Sequence, residues 1–310
     1  MFATAFAAEL ARYGPTGDGA GGLGATPSLD ESRAYCRRLA LTHYENFTVA
    51  SWLLPRRLRQ HFYHVYAYCR WADDLADETG DRGRSLDLLD WWEDQLRSCY
   101  AGNVRHPVFV ALGETIREFA IPPEPFHDLL TAFRQDQHVH RYETFDDLLG
   151  YCRNSANPVG RLVLHLGRSH DHARGKLSDA VCTGLQLANF WQDVANDWAR
   201  GRLYLPLADC RRFGYKEANL DRREATPEFR RLLAFEVGRA EAYLREGLPL
   251  VDQVSPALGA DVWLFIHGGL KILERIEAVD YDVWTRRPKL SRADQARLLA
   301  GCVWRRWRKI

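Results

Sequence analysis

The sequence predicts an all-α protein of one domain, built as a helical bundle around a central cavity. Three observations lead there. Runs of Val, Ile and Thr with period two are scarce, so strands have little to form from. Glycine and proline clusters cut the chain into helix-length pieces, and no long polar linker divides it. Two of the pieces carry carboxylates at helical spacing among apolar and aromatic neighbours, which leaves each little all-polar face to turn toward water.

In chain order, residues 1–27 are rich in Ala and Gly and predict a flexible lead with one short helix at Ala3 to Arg12. No strand precedes its glycines, as a phosphate-binding loop would need. The solid domain is expected over 28–310. Ser28-Leu-Asp-Glu31 reads as a capping box opening a helix toward Leu39 and His43. After Leu54-Pro55 a long helix spans about Leu58 to Glu78, ended by Gly80 and Gly83. Helices follow over Leu86 to Tyr100 and from His106-Pro107 to Phe119, before the rigid turn Ile121-Pro-Pro-Glu-Pro125. Phe126 to Val139 is helical, and Thr144-Phe-Asp-Asp147 begins a helix through Tyr151 and Ala156. That helix is kinked at Asn157-Pro158, where the proline removes a backbone hydrogen bond. Ser155, Ala156 and Gly160 are small, so the kink either makes room for a ligand or is a packing feature. A second long helix covers Leu177 to Arg200 and stops at Gly201, with Arg202-Leu-Tyr-Leu-Pro206 extended beyond it. The last helices are expected over Pro227 to Arg245, Pro256 to Ala278 and Ser291 to Trp307.

At about 100° per residue, Tyr66, Arg70, Asp73 and Asp77 share one face of the first long helix. Gln186, Asn189, Asp193 and Asp197 share one face of the second. The two carboxylates of each stripe stand where like charges repel, so each pair needs compensation. One such run alone would be a solvated helix face; its repetition is the signal. Two opposed carboxylate pairs suit Mg²⁺, which takes oxygen ligands and shares its shell with water and substrate phosphate. A metal-bridged diphosphate is the implied ligand.

Composition narrows the remaining classes. The 46% apolar and 12% aromatic residues allow a sizeable core, and a net charge of +1 with interspersed signs gives no basic face for nucleic acid. The seven cysteines are scattered without metal-site or disulfide spacing and read as buried thiols of a reducing compartment. No apolar run reaches membrane-spanning length and no basic signal-peptide start is present, so the expectation is a cytoplasmic protein.

At these residues the chain resembles the squalene and phytoene synthase family of head-to-head isoprenoid synthases, over about Asp30 to Leu290. The resemblance rests on Arg70-x-x-Asp73-x-x-x-Asp77, and on Gln186-x-x-Asn189-x-x-x-Asp193-x-x-x-Asp197 followed by Gly201-Arg202-Leu-Tyr204-Leu-Pro206. Within the family the wording is most similar to the bacterial hydroxysqualene synthase branch. This holds at His43-Tyr-Glu-Asn46-Phe47, at Tyr151-Cys-Arg-Asn-Ser-Ala156-Asn157-Pro-Val159-Gly160 and at Asn189-Phe-Trp-Gln192-Asp193. The resemblance implies an isoprenoid synthase-type bundle that ionises presqualene diphosphate, lets water capture the cation and yields hydroxysqualene, a hopanoid precursor. It also implies a partner synthase that supplies the substrate and a reductase that consumes the product. Asn46 where most members carry Ser, Gln192 where most carry Arg, and Asn196 in place of an acidic residue point away from the first condensation of two farnesyl diphosphates. A squalene, dehydrosqualene or phytoene synthase is the alternative, and a non-catalytic membrane or assembly factor a further one.

Expected roles follow from this. Asp73, Asp77, Asp193 and Asp197 are the metal ligands, with Asn189 added by the resemblance, which also places Gln186 in the pocket. Arg70 and Arg202 either donate paired hydrogen bonds to phosphate or form local ion pairs. Tyr66, Tyr151 and Tyr281 match positions that line the cation site, though aromatic residues are also ordinary packing. Asn46, Asn157 and Gln192 are candidates to anchor the capturing water. His43 fits a family segment or is a satisfied core group. Ala156, Val159, Gly160 and Tyr204 complete the expected substrate pocket. Peripheral contact with the inner face of a membrane is expected for so apolar a substrate. Arg292 to Lys309, with Leu299, Val303, Trp304 and Trp307, reads either as a helix on an anionic surface or as one packed on the body.

Overall fold

The computed structural model describes residues 2–15, 26–42 and 56–307. His43 and Asn46 lie outside them. Regular structure among the described residues is α-helical throughout, apart from an isolated bridge between Arg141 and Leu203. The chain divides into two compact units, Met1–His138 and Val139–Ile310.

The first unit contains α1 (Phe2–Tyr13), α2 (Leu29–Thr42), α3 (Arg56–Asp77), α4 (Arg82–Tyr100), α5 (Pro107–Phe119) and α6 (Glu124–Gln135). Part of the expected flexible lead is thus a docked helix. Phe6 of α1 meets Trp71 edge-on at 5.3 Å, and Glu9 accepts a 2.9 Å hydrogen bond from the Tyr35 hydroxyl. The Ser28 box opens α2: the Ser28 amide donates to Glu31 at 2.8 Å, and Ser28 Oγ accepts from the Glu31 amide at 3.3 Å. Behind α3 the core is aromatic. Trp71 and Trp92 stack at 5.3 Å, Phe109 lies 4.4 Å from Trp92, and the Tyr68 hydroxyl donates to the Phe126 carbonyl at 3.0 Å. A Trp buries about 150–250 Å², roughly 4–6 kcal/mol each before ordering costs. This core fixes the rotation of α3. With Ala67, Tyr68, Trp71, Ala72 and Leu75 inside, Tyr66, Arg70, Asp73 and Asp77 are left on the opposite side.

The second unit contains α7 (Phe145–Ser155), α8 (Asn157–Leu166), α9 (His172–Ala199), α10 (Leu207–Phe213), α11 (Glu217–Arg222), α12 (Pro227–Glu246), α13 (Leu250–Gln253), α14 (Pro256–Ala278) and α15 (Arg292–Trp307). The expected capping box at Thr144 and Asp147 is present. The expected kink is a full break at Ala156, and Pro158 sits in the first turn of α8, where its missing N–H costs nothing. The second long helix starts earlier than expected because the Asp171 carboxylate caps it, accepting from the Arg174 amide at 2.8 Å. α8, α12 and α14 pack around α9. The α12 contact needs Gly184, since a Cβ there would stand 2.9 Å from the Leu244 amide nitrogen. α10, α11 and α13 are too short to register as periodic patterns.

Candidate active site

In the first unit Arg70 is the organising cation. Its guanidinium lies 3.3 Å from Asp73 and grips buried Asp74, with a 3.0 Å bond from Nε. The local ion pair anticipated for Arg70 therefore forms, chiefly with the aspartate next to the expected ligand. Burial raises the Asp74 pKa to about 6 even though Arg70 opposes the shift. Asp73 is half-buried and Asp77 exposed. Tyr66 is half-buried, and burial raises its pKa. A cavity of about 290 Å³ is lined by Arg70, Trp71 and Asp74 of α3, by Glu78 just beyond it and by Tyr35 and Glu9, whereas Tyr66, Asp73 and Asp77 do not line it.

In the second unit α9 presents Gln186 half-buried, Asn189 exposed, and Asp193 and Asp197 half-buried. Arg287 clamps Asp193 with both arms, the Nη2 contact being 2.7 Å, and the Asn196 amide donates to the same carboxylate at 2.8 Å. Burial opposes ionisation of Asp193, but these hydrogen bonds outweigh it and hold its pKa below the ordinary value. Asp197 goes the other way: burial and then the neighbouring Asp193 charge raise its pKa to about 6. Arg200, Arg202 and Arg287 pull it back only in part. Arg202 follows the left-handed Gly201 (φ 79°), and its amide donates to the Asp197 carbonyl at 2.8 Å.

An aromatic wall stands beside this stripe. Phe190 and Tyr204 stack at 3.8 Å, with Tyr151 at 6.0 Å and Tyr142 at 5.8 Å from Tyr204. Tyr281 lies outside this ring cluster, in a turn with φ 59°. Buried Asn157 accepts a 3.0 Å bond from the Thr183 hydroxyl and so ties α8 to α9. Gln192 is buried, donating to the Pro288 carbonyl while its own carbonyl takes a 3.4 Å bond from Arg287. Ala156 is buried, Val159 half-buried, and Gly160 closes tightly on Ser178 and Cys182, a packing role for that glycine.

Sequence reasoning missed Arg287, Tyr142 and Asp74. The run Arg286-Arg287-Pro288-Lys289 was the available signal for the first. Nothing at the level of spacing links position 287 to position 193.

Among the described residues no three His, Cys, Asp or Glu side chains come close enough to hold a metal ion by themselves. The α9 stripe nevertheless suits a hard cation that completes its shell with phosphate and water. It offers carboxylate and amide oxygens without thiolate or imidazole, and Asp197 is a carboxylate whose charge the protein leaves under-compensated.

The model of the squalene/phytoene synthase family matches residues 27–294. A phytoene synthase of Arthrospira platensis is 32% identical over 279 residues, covering 84% of this chain and 89% of that protein. Among solved structures, the squalene synthase HpnC from Alicyclobacillus acidocaldarius is 46% identical with a TM-score of 0.79, covering 82% of this chain and 95% of that one. A dehydrosqualene synthase solved with a ligand is 27% identical with a TM-score of 0.78, covering 88% and 96%.

Proposed function

This chain belongs to the squalene/phytoene synthase family, an enzyme family acting on prenyl diphosphates, and we propose that its reaction is the conversion of presqualene diphosphate to hydroxysqualene. The 46% identity to the squalene synthase HpnC, against 32% to a phytoene synthase, favours the squalene branch, and the choice of hydroxysqualene within it rests on Gln192 and Asn196.

In this reading the diphosphate leaves with the bonding electron pair, a water oxygen attacks the carbocation, and that water gives up a proton. Asp73, Asp77, Asn189, Asp193 and Asp197 would hold Mg²⁺, whose contribution is to stabilise the charge developing on the leaving diphosphate. Arg70, Arg202 and Arg287 supply guanidinium forks that match phosphate oxygens. Gln186 and His43 would bind the substrate in this reading. Tyr66, Tyr151, Tyr204 and Tyr281 offer ring faces to the cation. Asn46, Asn157 and Gln192 are the groups to position the capturing water. Peripheral contact with the inner face of a membrane belongs to the same reading, as do hand-over from a presqualene diphosphate synthase and onward to a reductase. Among the described residues no helix is long and apolar enough to cross a membrane.

The second reading, a synthase condensing two prenyl diphosphates, is favoured by the phytoene synthase relatives. One experiment separates the two. Purified protein with Mg²⁺ and no nicotinamide receives farnesyl diphosphate in one tube and presqualene diphosphate in another. Hydroxysqualene from the second tube alone supports the proposal. Product from farnesyl diphosphate assigns the chain to the condensing enzymes, and silence in both tubes favours a non-catalytic role.

A further inference from the structure

α15 reconciles the two readings its sequence allows, because it packs on the body with one face and exposes an apolar one. On the packed side Asp294 is buried in a capping box with Ser291 and bonded to Arg275 at 3.0 Å; Cys302 is buried, and Gly301 lies against Trp263. On the other side Ala296, Leu299, Ala300, Val303 and Trp304 are exposed. Taking Ala296 as 0°, they fall at roughly −60°, 40°, −20° and 80°, one continuous stripe. Leu299 is 40%, Val303 47% and Trp304 63% exposed, and three of the four large apolar side chains exposed among the described residues fall on this one helix.

The charge carried by this segment is nearly all of one sign, although Arg287 is paired with Asp193 and Arg305 with Asp252. From Arg286 to Lys309 the chain carries nine basic residues and a single acidic one, whereas the whole sequence has 42 basic and 41 acidic residues. The one acid, Asp294, is buried beneath the helix, so the outward surface of this segment shows no carboxylate of its own. Arg286, Lys289, Arg292 and Arg297 are exposed along its approach and edge. Such a distribution is unlike the mixed charges of an ordinary solvated helix. An apolar stripe bordered by guanidinium groups is complementary to a surface with anionic groups outside and hydrocarbon beneath.

We propose that the exposed face of α15, centred on Leu299, Val303 and Trp304, together with the basic approach at Arg286, Lys289, Arg292 and Arg297, docks this protein on anionic lipid bilayers. The inference deepens the proposed function and rests on it only for the need to exchange apolar substrate and product with a membrane. The helix lies on the surface, anchored by shallow insertion of the stripe and by lipid phosphates on the arginines. It does not span the bilayer.

The test is flotation of the full chain with vesicles of phosphatidylcholine alone and of phosphatidylcholine mixed with phosphatidylglycerol. The expected result is at least about tenfold stronger binding to the anionic vesicles, weakening as salt is added. Replacing both arginines (R292A/R297A) lowers the partition coefficient roughly 25-fold, at about fivefold per charge. The double variant L299E/V303E abolishes flotation while its melting temperature and its turnover of detergent-dispersed substrate stay at wild-type values. L41E, at an exposed leucine of α2, floats as wild type. Equal binding to neutral vesicles, no binding at all, or flotation unchanged in L299E/V303E overturns the proposal. A vesicle-free dimer that L299E/V303E dissolves overturns it too, since the face then belongs to a second copy. Flotation as expected from a protein that turns over neither diphosphate sustains the docking surface while removing the proposed reaction.

Discussion

Asp193 and Asp197 stand four residues apart on α9, yet their environments drive their protonation in opposite directions. Arg287 and Asn196 keep Asp193 ionised, and the resulting charge, added to burial, makes Asp197 reluctant to ionise. At pH 8, above its pKa of about 6, Asp197 is charged only at the expense of the metal-free fold. Asp197→Asn therefore raises the metal-free melting temperature at pH 8, by roughly 1–2 °C for each kcal/mol relieved in a chain of this length. The same variant loses turnover and the added stability that Mg²⁺ with inorganic diphosphate gives the wild type. Differential scanning fluorimetry with and without that pair checks both halves. A variant that melts lower than wild type without metal would show that Asp197 is already satisfied by its arginine neighbours.

At the scale of elements, the long helices were legible because their caps, glycine stops and apolar spacing all point the same way. The Ser28 and Thr144 boxes and the stop at Gly201 are local signals read by local physics, while the proline at 158 reads as a kink where the chain breaks into two helices. How closely helices approach one another is not local. The contact of α9 with α12 depends on Gly184, and a Gly184→Ala variant pushes its methyl against the Leu244 backbone and side chain at 2.8–2.9 Å. Overpacking of that kind costs about 1–3 kcal/mol. Gly238→Ala on exposed α12 surface meets nothing within 4 Å and is neutral or stabilising, by up to about 1 kcal/mol of helix propensity. Urea unfolding of the two variants side by side separates packing from propensity. Equal midpoints would mean that α9 and α12 yield at this crossing.

For the molecule as a whole, the all-α class, the two acidic stripes and the family were legible, whereas pairings between residues distant in sequence were not. Arg287 with Asp193 is one such pairing, and the charged network of Glu236, Asp209 and Arg239 is another. Arg239 lies 2.7 Å from Asp209 and 3.2 Å from Glu236, which is fully buried. Burial first, and the adjacent Asp209 next, raise the Glu236 pKa to about 8 against the pull of Arg239. Because the folded value exceeds the unfolded one, near 4.5, native protein holds this proton where unfolded protein has released it. The associated stability is full below about pH 4.5 and is lost as pH rises through 8. The slope approaches 1.4 kcal/mol per pH unit across that window, on the order of 2 °C in melting temperature. Glu236→Gln keeps the neutral donor toward Asp209 and has no proton to lose. Its melting temperature should therefore pull ahead of the wild type steadily from pH 5 to pH 8 and hold a constant lead above that. Thermal melts of both proteins across pH 5 to 9 read the difference directly, and a lead that does not change with pH would mean that Arg239 keeps Glu236 ionised throughout.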